Sequence, residues 1–113
     1  MKKFIYKICK ISEWNSAQKK KNFIGTKKDL ADGFIHFSNK SQIKSTLKKY
    51  FLNKNNLILL KIDTSKLSNL IFEKSAIGDC FPHLYSDLNL NNVKKTYKII
   101  LKKNGSHNLP LIF

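Results

Sequence analysis

Leu57-Ile58-Leu59-Leu60 is the longest uninterrupted apolar run in the chain, and Lys61 and Ile62 extend it. A run this short, rich in residues that fit a pleated surface and preceded by Asn53 to Asn56, predicts a strand covered on both faces. It is far below the roughly 20 apolar residues that a bilayer-spanning helix needs. Such a strand must lie at the centre of a sheet with packed elements above and below it. With 113 residues, 42% of them hydrophobic and 12% aromatic, the chain can build one core of this kind but not two. The whole of 1–113 is therefore expected to be a single domain.

The other segments agree with that plan. Phe4 to Lys10 reads as a strand with Phe4, Tyr6 and Ile8 on one face and Lys7 on the other. Ser12 is the expected N-cap of a helix that carries Trp14 and Ala17 on one face and ends with Lys19 to Lys21. Thr26-Lys27-Lys28-Asp29 and Asp32-Gly33 carry cap and turn chemistry and lead into a strand over 34–37. Asn39 followed by Gln42 suggests a capping box, after which Ile43, Leu47, Tyr50 and Phe51 recur at helical spacing. A helical turn is expected from Asp63 to Leu67, and short strands over 70–73 and 81–85. An outer strand is expected over 93–101, then a turn at Asn104-Gly105. Strands and helices are mixed without regular alternation, so the expected class is α+β, with a small mixed or antiparallel sheet and two main helices.

The formal charge is +15, from 22 Lys+Arg against 7 Asp+Glu, and every one of the cations is lysine. A charge of this size favours weak binding of RNA or another polyanion. The joint abundance of Lys, Asn, Ile, Phe and Tyr also fits an AT-rich coding sequence, with the lysines as a solvated surface. Without arginine there is no planar guanidinium to grip a phosphate or a guanine edge in bidentate fashion. Cys9 and Cys80 stand far apart and in no C-x-x-C pair, so both are expected to be reduced. Lys7 and Lys10 interrupt the first apolar stretch too early for a signal peptide, and the expected location is the cytoplasm, without membrane contact.

Two segments carry candidate chemistry: Asp32-Gly33-Phe34-Ile35-His36-Phe37-Ser38 and Phe81-Pro82-His83-Leu84-Tyr85. In the first, alternation sets Phe34, His36 and Ser38 on one face and Ile35 and Phe37 on the other. The competing structural readings are a His36 satisfied by a backbone carbonyl and a Ser38 that caps the next helix. Pro82 biases Phe81 toward extended geometry and so fixes the direction in which His83 and Tyr85 leave the chain. Glu73 closes a short apolar strand, where an ordinary lysine partner would also account for it. His107 is expected at the surface. No H-x-x-x-H or H-x-H spacing suggests a metal site, and none is expected. Ser38 lacks the G-x-S-x-G context of a hydrolase nucleophile.

These residues together resemble a known family. Ile5-Tyr6-Lys7-Ile8, Trp14, Ala17, Asp29, the Gly-Phe-Ile-His-Phe-Ser segment, Gln42, Leu59, Asp63, Glu73 and Phe-Pro-His-Leu-Tyr resemble the uncharacterised bacterial family called domain of unknown function 952. That resemblance covers nearly the whole chain. It implies a fold similar to that of ADP-ribosyltransferases, with distant likeness to the catalytic domain of RNA 2′-phosphotransferases. In the latter, a His-x-His-x-Ser strand resembles 34–38, a strand ending in Val-Asp resembles 57–63, and a Phe-x-x-Ser-x-x-Gly stretch resembles Phe72, Ser75 and Gly78. The implied ligand is NAD or a related nucleotide.

On that footing Glu73 would stabilise an oxocarbenium-like centre, and His36, Ser38 and Tyr85 would hold ribose and ring. Tyr6 would sit on the first strand beside Lys7, which would meet the pyrophosphate. His83 would be the acid or base, histidine being the side chain that exchanges protons near neutral pH. Tyr6-Lys7-Ile8 stands where the related enzymes have His-Gly-Thr, and the absence of arginine speaks against RNA 2′-phosphate transfer. The alternative is a non-catalytic module that binds nucleotide or RNA through the same cleft or through its lysine-rich surface.

Overall fold

The computed structural model describes residues 3–76 and 78–113. Its framework is a four-stranded antiparallel sheet in the order β1-β4-β8-β9, made from Phe4–Lys10, Leu57–Asp63, Val93–Leu101 and His107–Asn108. As the apolar run requires, β4 lies inside the sheet, and its alternating side chains feed two cores. Ile58, Leu60 and Ile62 join Ile5, Cys9, Trp14, Phe23, Ile35, Phe37, Leu84 and Leu88 on one face. Leu57 and Leu59 join Tyr6, Ile8, Ile43, Leu47 and Ile99 on the other. Central strands of antiparallel sheets often expose one face to water; here helices and a second sheet cover both. The strand expected to be outermost, β8, is flanked at its end by β9 through Ile100 and Leu101.

Helix α1 (Ile11–Lys20) follows β1 without a loop. Its N-terminal residue is preceded by Lys10 rather than by Ser12, which lies inside the helix. The Lys10 N–H donates to Glu13 Oε1 at 2.7 Å, so the helix begins two residues earlier than expected, with the carboxylate three residues on satisfying the amide at its start. Lys21 ends the helix in the left-handed region at φ 56. The next residues, Asn22–Phe23 (β2), pair with Leu88–Asn89 (β7) in a two-stranded ribbon too short to leave a periodic signal. Helix α2 (Lys27–Asp32) has the expected capping pair, with Asp29 N donating to Thr26 Oγ1 and Thr26 N to Asp29 Oδ2. Gly33 closes it at φ 86.

A second antiparallel sheet has the order β3-β6-β5, from Ile35–His36, Cys80–Leu84 and Leu70–Lys74. The 34–37 strand is thus narrower than its alternation suggests, although Phe37 N still donates to Pro82 O at 2.9 Å. A bridge between Tyr6 and Ser38 links this sheet to β1. The expected α+β domain is present, with all pairings antiparallel and the strands divided between sheets. Helix α3 (Ile43–Tyr50) follows a short 3-10 turn over Lys40–Gln42, and buries Ile43 and Leu47. Where a helical turn was expected, Asp63 Oδ1 accepts from Ser65 N and Leu67 N donates to Thr64 O, a single turn that does not extend into a helix. Cys9 and Cys80 are free thiols, and burial pushes Cys9 up to about 12 despite the nearby Lys7 charge. Among the described residues no helix is long and apolar enough to cross a membrane.

Candidate functional site

The period of two in β3, β5 and β6 gives the second sheet one apolar and one chemical face. Ile35, Phe37, Pro82 and Leu84 point into the core. The opposite face presents Phe34 and His36, then Phe81, His83 and Tyr85, then Ile71 and Glu73. Register does the rest: His36 pairs with His83, and His83 with Ile71. Two histidines 47 positions apart in sequence become cross-strand neighbours, with ring centroids 5.4 Å apart. The Phe34 ring packs on both, at 4.5 Å from His36 and stacked at 4.1 Å on His83, and lies 5.2 Å from Tyr85.

Each histidine is held through Nδ1 by a carboxylate. His83 Nδ1 is 2.8 Å from Glu73 Oε1, which also accepts the Tyr85 hydroxyl at 2.5 Å. The hydrogen bonds from Tyr85 and then His83 lower the Glu73 carboxyl below its ordinary range, and the same contact with Glu73 raises the Tyr85 phenol. An ionised Glu73 only accepts, so His83 carries its proton on Nδ1. His36 Nδ1 is 2.6 Å from Asp29 Oδ1, and its Nε2 is 3.2 Å from Asp32 Oδ2.

Asp29 is the buried anchor of the arrangement, and its side chain is 1% exposed. Its oxygens accept from Lys7 Nζ at 2.8 and 3.0 Å, from the His36 and Thr26 amides at 3.2 and 2.9 Å, and from the His36 ring. Burial alone would raise this carboxyl. The His36 hydrogen bond and the Lys7 ammonium outweigh it, and hold the group well below the usual carboxylate range. Gly25, at φ 111, makes room for it: a Cβ there would stand 2.8 Å from the Asp29 Cβ.

The structure therefore brings His36, His83, Glu73 and Tyr85 together. Tyr6, Lys7 and Ser38 do not share their surface. Tyr6 is buried in the opposite core with its ring edge-on to Phe113 at 5.7 Å. Lys7 is 5% exposed and committed to Asp29, so a pyrophosphate would have to draw it away from that partner. Ser38 is buried with its hydroxyl 3.2 Å from Thr46 Oγ1 on α3, instead of projecting beside His36. His107 lies partly exposed at the surface, as expected, with Nε2 2.7 Å from Lys54 O. Asp29 and Phe34 were not singled out for chemistry by the sequence. A capping motif accounts fully for Asp29, and only the fold reveals that its carboxylate also meets Lys7 and His36. Two surface grooves, of about 350 and 340 Å³, lie elsewhere, lined by Trp14, Lys94 and Lys95 in one case and by Phe23, Ile24 and Leu30 in the other.

Fold and site together define a small α+β domain that carries a carboxylate-anchored histidine pair on one face of its second sheet. The family model described as "Protein of unknown function (DUF952)" matches residues 8–96, and the chain belongs to that family. It is similar to protein CC0527 from Caulobacter crescentus. A crystal structure of that protein has 38% sequence identity and a TM-score of 0.88, with 93% of each chain covered. The crystal structure of a double mutant gives 37% identity and the same TM-score. The solution NMR structure gives 38% identity and 0.81, covering 91% of this chain and 90% of that one. No curated protein matches.

Proposed function

We propose that the protein is an ADP-ribosyltransferase-like domain that takes NAD or a related nucleotide on the face formed by Phe34, His36, Glu73, His83 and Tyr85. The observation that carries this reading is the packing of Phe34 against both histidines while Glu73 binds His83 and Tyr85 at once. The 42% exposed Tyr85 ring, beside Phe34, offers a heterocycle a stacking surface, and the preorganised His, Tyr and carboxylate groups offer ribose hydroxyls donors and acceptors. Glu73, held ionised, is placed to oppose positive charge developing at an anomeric carbon, and His83 to move a proton. Lys7 acts in this reading through Asp29, as a support for His36.

The test is thermal stabilisation by NAD and ADP-ribose together with nicotinamide release. Wild-type protein is expected to shift upward in melting temperature, and Glu73→Ala to lose the shift and any turnover. No shift with either ligand and no turnover would overturn the reading.

A second reading rests on the groove where Lys94 and Lys95 flank Trp14. If the lysine surface binds RNA without catalysis, filter-binding affinity falls steeply with log salt, whereas ligand uptake on the histidine face responds weakly. A flat salt response rejects this version.

A further inference from the structure

The two histidines differ in a way that assigns them complementary tasks. Both ring nitrogens of His36 face carboxylate oxygens, Asp29 on one side and Asp32 on the other. A neutral imidazole can donate to only one of them, while an imidazolium donates to both. His83 has one carboxylate partner, on Nδ1, and its Nε2 makes no hydrogen bond to another described residue. That nitrogen has a lone pair when Nδ1 carries the proton. The formal charges agree. Asp29, Asp32 and Glu73 stand against Lys7 and Lys28, which pair with Asp29 and Asp32, so one imidazolium makes the cluster neutral. A histidine whose two nitrogens both face carboxylates, beside one whose Nε2 is left with a lone pair, is the arrangement a general acid and general base pair needs.

We propose that this pair cleaves single-stranded RNA by transesterification. The inference rests on the reading above that the face binds a nucleotide, and it names a polynucleotide as a substrate. His83 Nε2 takes the proton of a ribose 2′-hydroxyl, whose oxygen attacks the adjacent phosphorus. The bond from phosphorus to the 5′-oxygen of the next nucleotide breaks in line. His36 Nε2 gives its proton to that leaving oxygen, leaving a 2′,3′-cyclic phosphate on one fragment and a 5′-hydroxyl on the other. Asp32 is the half-exposed partner that the scissile phosphate displaces from His36, and it keeps Lys28, 3.1 Å away, as its counterion. The two rings are close neighbours, with centroids 5.4 Å apart, so one phosphodiester linkage can reach both. Phe34 and the 42% exposed Tyr85 supply stacking for a neighbouring base, and the lysine-rich surface attracts the strand.

The experiment uses full-length protein with a fluorescein-labelled single-stranded RNA in EDTA, alongside DNA of the same sequence and RNA carrying one 2′-deoxynucleotide at the cut position. Cleavage of the RNA alone, with cyclic phosphate ends identified by mass spectrometry, is expected. His83→Asn and His36→Asn are each expected to reduce the rate by about 100-fold or more. His83→Gln, purified in parallel and checked for native NMR dispersion, guards against loss through misfolding. Uncut RNA, cleavage of the DNA, or an undiminished rate in the folded histidine variants would overturn the proposal. Nucleotide binding at this face without RNA cleavage overturns it while leaving the nucleotide reading intact; absence of both overturns the two together.

Discussion

Asp29→Asn is expected to lower the free energy of unfolding by about 3–5 kcal/mol, the range for breaking a buried ion pair from one side. The reason is local. Asp29 and Lys7 are 1% and 6% exposed in their side chains, so removing the carboxylate charge strands an ammonium in the core. The asparagine NH2 also replaces one of the two acceptor oxygens, so either the His36 donors or the Thr26 amide face a donor in place of their partner. Urea denaturation at neutral pH checks the size. Lys7→Met/Asp29→Leu, which removes both charges, is expected to recover much of the loss, because the unpaired charge and not the missing attraction is the main penalty.

The pH dependence carries a definite sign. The Asp29 carboxyl is held below its ordinary range in the folded protein, so its contribution is fully present above the unfolded value. It begins to be lost as pH falls below ~4 and goes on declining into stronger acid. The Asn variant should lack this part of the acid transition. An unchanged acid limb would show that Asp29 does not hold its proton less tightly in the native state.

Phe34→Ala is expected to weaken nucleotide binding by about 5- to 150-fold, the equivalent of the 1–3 kcal/mol typical of an aromatic side chain stacked on a base. Phe34 is only half-buried and belongs to neither core, so the fold should survive the change and separate binding from stability. Its ring is also the packing partner of both imidazoles, and their orientation should loosen with its removal. Tyr85→Phe keeps the ring but deletes the hydroxyl that binds Glu73, and a smaller loss is expected. Isothermal titration with ADP-ribose distinguishes the two. Equal affinity in Phe34→Ala and wild type would remove the stacking surface from the account.

Much of this geometry was legible in the residues. The Leu57 to Ile62 run could satisfy its side chains only at the centre of a doubly covered sheet, and β4 lies there with a core on either side. Alternation correctly separated Ile35 and Phe37 from Phe34 and His36 because one face of that segment is buried. What alternation cannot give is register between distant strands. The approach of His36 to His83, and of Glu73 to Tyr85, depends on how β3, β6 and β5 align, which no local pattern encodes. Lys7 was assigned to the face of its strand opposite Tyr6 and, by the family resemblance, to a pyrophosphate. Its burial follows from a partner 22 residues away, in a segment whose own signal was a helix cap. Ser38 was grouped with His36 by alternation alone, but β3 ends at His36 and the serine turns to Thr46.

The central claim is that the histidine face of the second sheet, and not the lysine surface, is where this protein meets its ligand. The most direct measurement is a titration of NAD and ADP-ribose into isotope-labelled protein, followed through the ring resonances of His36, His83 and His107. The account predicts saturable shifts at His36 and His83, little change at His107, and loss of the shifts in Phe34→Ala. Shifts confined to residues around Trp14, Lys94 and Lys95, with both site histidines unmoved, would contradict it.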